Sequence, residues 1–156
     1  MNLGNNILAI SEGRTFAYTS LSNTVTIYNI SDPTNPTVEN HISNVGPMEA
    51  LDVKEDYALT WIDGEGFKIY DWSVPQSPQI ISELAFEGNA WSIVVENDIA
   101  FISRGDILEI DVSDPAHPQV IATINLPVRV RHLTISEGNG YAAAWDAGLL
   151  IFQILK

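Results

Sequence analysis

The stretch Asp111–Pro118, DVSDPAHP, has two close copies earlier in the chain, NISDPTNP at Asn29–Pro36 and DWSVPQSP at Asp71–Pro78. Each copy closes an alternating apolar run, TIYN, KIYD or LEID, and each sets two prolines three positions apart. Proline fixes its own φ and lacks the N–H that a central strand must donate, so the pair takes the chain out of a sheet and into a turn. The Ser and Asp in front of it hydrogen-bond the local backbone and hold that turn. The phrase is punctuation between strands rather than a chemical motif.

Its spacing measures the unit it punctuates. Asn29 to Asp71 is 42 residues, Asp71 to Asp111 is 40, and a further 42 reaches Gln153 in IFQI. Ala17, Ala58, Ala100 and Ala142, in AYT, ALT, AFI and AAA, recur at steps of 41, 42 and 42. Just upstream, ILAISEG, LDVKED, IVVEND and LTISEG alternate apolar and polar residues before a polar turn. A period near 40 residues filled with short alternating segments is that of a blade-like β-repeat, not of paired helices.

Unit three reads as four strands, a to d. SIVVEN is followed by a turn at Asn97-Asp98, IAFIS by Arg104-Gly105-Asp106, DILEIDV by the proline phrase, and PQVIATINL by Pro127. Unit two repeats this as ALDVK, YALTWI, GFKIYDW and PQIISELAF, with Asp63-Gly64 as a favoured hairpin turn between b and c. The fold expected is therefore all-β, a β-propeller of four antiparallel blades within a single domain, 1–156, the blades covering roughly 7–42, 48–86, 91–126 and 131–154. No segment keeps a 3.6-residue period for three turns, so no long helix is expected. The fourth unit ends after its c strand, which predicts a blade without its outer strand and an unpaired edge at LLIFQIL. Met1–Asn6 is too short to supply the missing strand.

The 156 residues are 46% hydrophobic, enough for a continuous core between stacked sheets. There is no cysteine, hence neither a disulfide framework nor a thiolate metal site. Twenty acidic residues against seven basic ones give a net charge of −13, which repels phosphate backbones and argues against nucleic acid and anionic membranes as partners. No apolar stretch is long enough to insert in a membrane, and the amino terminus does not read as a signal peptide. That points to the cytoplasm, or to export if the chain is a segment of a larger exported protein.

Phrase, period and strand order together resemble the LVIVD-repeat β-propellers. AFISRGDILEIDVSDPAHP follows their order closely; ALTWIDGEGFKIYDWSVPQSP has Val74 where the motif has Asp, and AYTSLSNTVTIYNISDPTNP has Asn29 in place of the strand-ending Asp. AAAWDAGLLIFQ stops before the phrase. The resemblance implies the propeller fold, and for function a surface or interaction module without a defined activity.

In a propeller, the b–c turns and the segments leading into strand a build one face of the ring, where ligands usually meet it. Those positions hold Trp61, Asp63 and Glu65 in unit two, Arg104 and Asp106 in unit three, and Trp145 and Asp146 in unit four. The segments before strand a add Glu49, Trp91, Arg131 and His132. Aromatic and arginine side chains are the usual interface anchors, and they lead to an expected binding surface of Trp61, Asp63, Trp91, Arg104, Arg131, His132, Trp145 and Asp146 for a protein, peptide or carbohydrate. Against this, Trp61 and Trp145 are also placed to fill space between blades, Trp72 reads as packing, and Arg129 and Arg131 as surface ion pairs.

A catalytic constellation does not assemble. The aligned trio Glu49, Trp91 and Arg131 offers one ligand, one aromatic and one cation, so neither a metal nor another cofactor is expected. The alternative is a propeller-type hydrolase with an acidic site near the axis, built on Glu49 and Asp63. For assembly, the expectation is a homodimer completing an eight-bladed ring, in preference to a closed four-bladed monomer or a fragment of a longer propeller.

Overall fold

The computed structural model of the chain describes residues 7–10, 15–74, 77–145 and 147–154. Four sheets follow one another along it. The first contains Ile7–Ile10 (β1), Phe16–Leu21 (β2), Thr24–Asn29 (β3) and Thr37–Ser43 (β4). Met48–Lys54 (β5), Tyr57–Ile62 (β6), Gly66–Asp71 (β7) and Gln79–Ala85 (β8) make the second. The third is Ser92–Glu96 (β9), Ile99–Ser103 (β10), Ile107–Asp111 (β11) and Gln119–Ile124 (β12). Val130–Ser136 (β13), Asn139–Ala144 (β14) and Gly148–Gln153 (β15) form the fourth, which has three strands among the described residues. Each sheet is an antiparallel meander in sequence order, and no helix occurs among the described residues.

Local chemistry sets the strand boundaries. Asn97 and Asp98 both take positive φ, 49° and 63°, making the primed turn whose twist matches the strands it joins. The proline phrases are the c–d connections. In each, the residue ending strand c accepts the N–H two residues on: Ser31 N donates to Asn29 Oδ1 (3.1 Å), Ser73 N to Asp71 Oδ1 (2.9 Å) and Ser113 N to Asp111 Oδ1 (2.9 Å). A second cap of the same kind follows, from Thr34 N to Asp32 Oδ1 and from Ala116 N to Asp114 Oδ1, both 3.0 Å. Val74 has no side-chain acceptor, yet the turn persists through Ser77 N donating to Val74 O (2.9 Å).

The core lies between blades. The face of blade one carrying Ala9, Tyr18, Val25 and Ile27 packs on the face of blade two carrying Leu51, Val53, Ala58 and Ile62. Leu59, Trp61, Phe67 and Ile69, on the other face of blade two, meet Ile93, Ala100, Ile102 and Ile110 of blade three. Phe101 and Ile107 meet Leu133, Ile135 and Ala142 of blade four. The inner strands carry this stacking, β1 on β5, β5 on β9 and β9 on β13. No comparable packing joins β13 to β1 among the described residues, so the blades form an arc with two free end faces.

One sequence alignment shifts. Strand b begins at Tyr57, Ile99 and Asn139, directly after two-residue turns, so the second position is Ala58, Ala100 and Gly140. Gly140, rather than Ala142, is the counterpart of Ala17. The position is defined by its partner across the sheet: Ala17 opposes Tyr28, Ala58 opposes Tyr70, Ala100 opposes Ile110, and Gly140 opposes Phe152. The alignment through Gln153 holds, since Asn139 opposes Gln153 as Ile99 opposes Asp111.

Candidate functional site: an arginine and tryptophan cluster at one end of the blades

The residues before strand a are set apart by broken register. Between β5 and β6 the pairing steps from Met48–Ile62 to Ala50–Trp61, leaving Glu49 as an extra residue; between β13 and β14 it steps from Val130–Ala144 to His132–Ala143, leaving Arg131. A bulged residue leaves the in–out alternation, so its side chain is re-aimed along the end of the blade. Trp91 lies immediately before β9, its N–H donating to Ser103 O (2.8 Å). The aligned trio Glu49, Trp91 and Arg131 thus marks places where the sheet releases a side chain toward its neighbour.

Arg131 shows the consequence. Its guanidinium carbon lies 4.8 Å from the centre of the Trp91 ring and 4.3 Å from that of Trp145. Both indoles attract the cation through their π faces. Among the described residues no carboxylate stands within ion-pair distance of Arg131, and Trp145 is 68% exposed. Stacking occupies the faces of a guanidinium and leaves its N–H edge for an acceptor.

A second cluster adjoins the first through the Trp91–Ser103 bond, because Arg104 directly follows Ser103. The Arg104 guanidinium carbon lies 5.4 Å from the ring centres of both Trp61 and Phe86, and these rings stack at 5.4 Å. Trp61 is fully buried, its indole N–H donating to Gly88 O (3.0 Å). The expectation that Trp61 meets a ligand is therefore corrected: packed against Phe86, Arg104 and the core between blades two and three, its side chain is fully buried. Arg104 is half-buried and paired with Asp106 (3.6 Å).

The remaining candidates separate. Asp63 is exposed in the b–c turn of blade two, its N–H donating to Pro47 O (3.2 Å), and it belongs to neither stack. His132 is exposed opposite Ala143, on the face of blade four turned away from blade three. Asp146 lies outside the described residues. Trp72 is buried between blades one and two, 5.6 Å from the Tyr18 ring.

Carboxylates in this region serve as latches between blades. Glu49 accepts from the Asn89 side chain and, at 2.9 Å, from Ala90 N. Asp52 spans the same junction, taking Val95 N on one oxygen and Val53 N on the other, both 2.8 Å. Burial raises the Asp52 pKa, and those two N–H donors oppose the rise. Sequence reasoning passed over Asp52 because an acidic residue in an alternating strand reads as solvent-facing. Among the described residues no three His, Asp or Glu side chains group as metal ligands.

Sheets of four antiparallel strands stacked by their inner strands are the blades of a β-propeller. The LVIVD repeat matches residues 7–43 and 87–125, the segments that hold blades one and three. No curated protein matches it in sequence. Among solved structures, it is similar to the computationally designed Ika4 protein at 12% identity and a TM-score of 0.69, covering 99% of this chain and 95% of that one. It is also similar to the computationally designed Ika8 protein (13% identity, TM-score 0.65) and to a chain in a mitotic checkpoint complex structure (11%, 0.74). Those alignments cover 91% and 96% of this chain but only 44% and 49% of the others, so it spans about half their length. At such identities the likeness is one of fold alone.

Proposed function

We propose that the chain is a non-catalytic recognition module that binds a protein segment or peptide bearing a carboxylate through Arg131, Trp91 and Trp145. The supporting observation is the Arg131 guanidinium 4.8 and 4.3 Å from the ring centres of two indoles, one of them broadly exposed, in a protein otherwise dominated by acidic surface. A carboxylate that bonds the free edge of Arg131 extends its apolar portion over Trp145, combining a charge-assisted hydrogen bond with ring contact. Arg104 supports the neighbouring strand end. The hydrolase reading gains no specific observation, since Glu49 is engaged by Asn89 and Ala90.

The test is capture from a peptide library with free carboxylates, run beside a glycan array. Trp145→Ala and Arg131→Lys are expected to reduce capture at least about tenfold, the latter because an ammonium cannot reproduce the flat two-donor edge. Their melting curves should shift little, since an exposed cation–π contact contributes about 1 kcal/mol or less. Unchanged capture by both variants would reject the site, and capture confined to glycans would reject the ligand class.

A further inference from the structure

We propose that the two end faces of the arc are covered by a second copy of this chain, blade four of each copy packing on blade one of the other to make a closed ring of eight blades. The inference does not rest on the ligand reading; it follows from comparing equivalent positions within the chain. Val25, Phe67 and Ile107 open strand c on the faces that meet the next blade, and all three are fully buried; their counterpart in blade four, Leu149, is 65% exposed. Ile27 and Ile69 are buried in the same way, whereas Ile151 is 58% exposed. Tyr18, Leu59 and Phe101 are buried, but Tyr141 is only partly so.

The opposite end shows the reciprocal defect. Val53 and Ile135, opposite Ala58 and Gly140, are buried against the preceding blade, while Ile10, opposite Ala17, is 49% exposed. Leu21 is 54% exposed where its counterpart Ile62 is buried. Side chains of core type thus stand open on the two faces that the repeat itself uses for stacking. A face of one kind has its complement three times within the chain, and a second copy supplies both missing complements at once. The contact is head-to-tail, and it closes if the two seams are related by a two-fold axis along the ring.

The blade junctions also supply a marker for the seam. Asp52 of blade two reaches Val95 N of blade three, so the strands meet closely there. The matching pair across the seam is Thr134 of one copy, opposite Tyr141 as Asp52 is opposite Leu59, and Ile10 of the other. The chain has no cysteine, so Thr134→Cys with Ile10→Cys creates a pair that a short bis-maleimide can join.

Light scattering at micromolar concentration should give twice the mass of the chain, and the double cysteine variant should link chain to chain, reaching a covalent dimer and no larger species. Leu149→Lys and Leu21→Glu should each return the protein to the mass of a single chain with unchanged far-ultraviolet circular dichroism. Val120→Lys, a change at a position 48% exposed on the outer strand of blade three, should leave the dimer intact. A wild-type protein of single-chain mass would overturn the proposal, as would a link formed within one chain, which would mean a closed four-bladed ring. A ladder of higher multimers would mean that the arc propagates instead of closing. A dimer indifferent to both face variants would place its interface elsewhere.

Discussion

Gly140 is where one residue decides most. A Cβ built on it would lie 2.2 to 2.7 Å from three ring atoms of Phe152, contacts that side chains do not make. In the other blades the same site holds alanine opposite Tyr28, Tyr70 or Ile110, so its rule is a small residue beneath a large one, and the flat Phe152 ring uses the whole allowance. Gly140→Ala should destabilise the protein by about 1–3 kcal/mol through overpacking. Adding Phe152→Ile recreates the Ala100–Ile110 pair, and the double variant should recover part of the loss. A urea-denaturation cycle with no coupling between the two changes would show that the ring has another way out. The sequence obscured this position because the alanines of AAA are more conspicuous than the glycine before them; their alternation was legible, their offset was not.

At the scale of the element, the proline phrase is a pair of side-chain caps, and its carboxylates carry a pH dependence. The hydroxyl and N–H of Ser73 and Ser113 hold Asp71 and Asp111 below the usual carboxylate range; Thr34 does so for Asp32, and His117 with Ala116 N for Asp114. A group with a lowered folded pKa binds fewer protons folded than unfolded, so its contribution is present above the ordinary pKa and is lost as pH falls through the folded one. Asp52 has the opposite sign: its raised folded pKa favours folding at low pH, and that share is lost as pH rises through it. Asp111→Asn keeps an acceptor for Ser113 but cannot ionise. It should be less stable than wild type at neutral pH, the gap closing as acid protonates Asp111 in the wild type; urea titrations at a series of pH values measure this. A gap constant across pH would mean that the turn is held by shape rather than charge. The turns were legible in the sequence because proline and Asx chemistry is local, whereas the bulges at Glu49 and Arg131 were not, since a bulge is defined only by the partner strand.

For the whole molecule, acidity and the absence of grouped ligands among the described residues lead to one further expectation. Chelation should leave the melting temperature unchanged, because the carboxylates of the turns and junctions already bond backbone N–H groups. A fall of several degrees in chelator would reveal calcium at Asp32, Asp114 or Glu49. The same scale explains why the proposed binding surface was only partly readable. Trp61 and Trp145 look alike in sequence, but Trp61 lies within strand b, opposite Phe67 on the face that packs on blade three, whereas Trp145 follows strand b in the b–c turn and is exposed. The pairing of Arg131 with both Trp91 and Trp145 joins two blades, and no spacing within one repeat predicts it.

The sequence by itself determined the all-β architecture, the four units, the turn at each proline phrase and, among the described residues, a fourth blade of three strands. These are properties of neighbours along the chain: alternation places side chains on faces, and proline ends strands. Tertiary structure alone decided that Gly140 is the counterpart of Ala17, that Asp52 is an inter-blade latch, that Trp61 is core and Trp145 surface, and that the end faces remain open. Each of those depends on what lies across a sheet or on the next blade, and a repeat that writes every blade in the same pattern carries no local mark of which blade comes last.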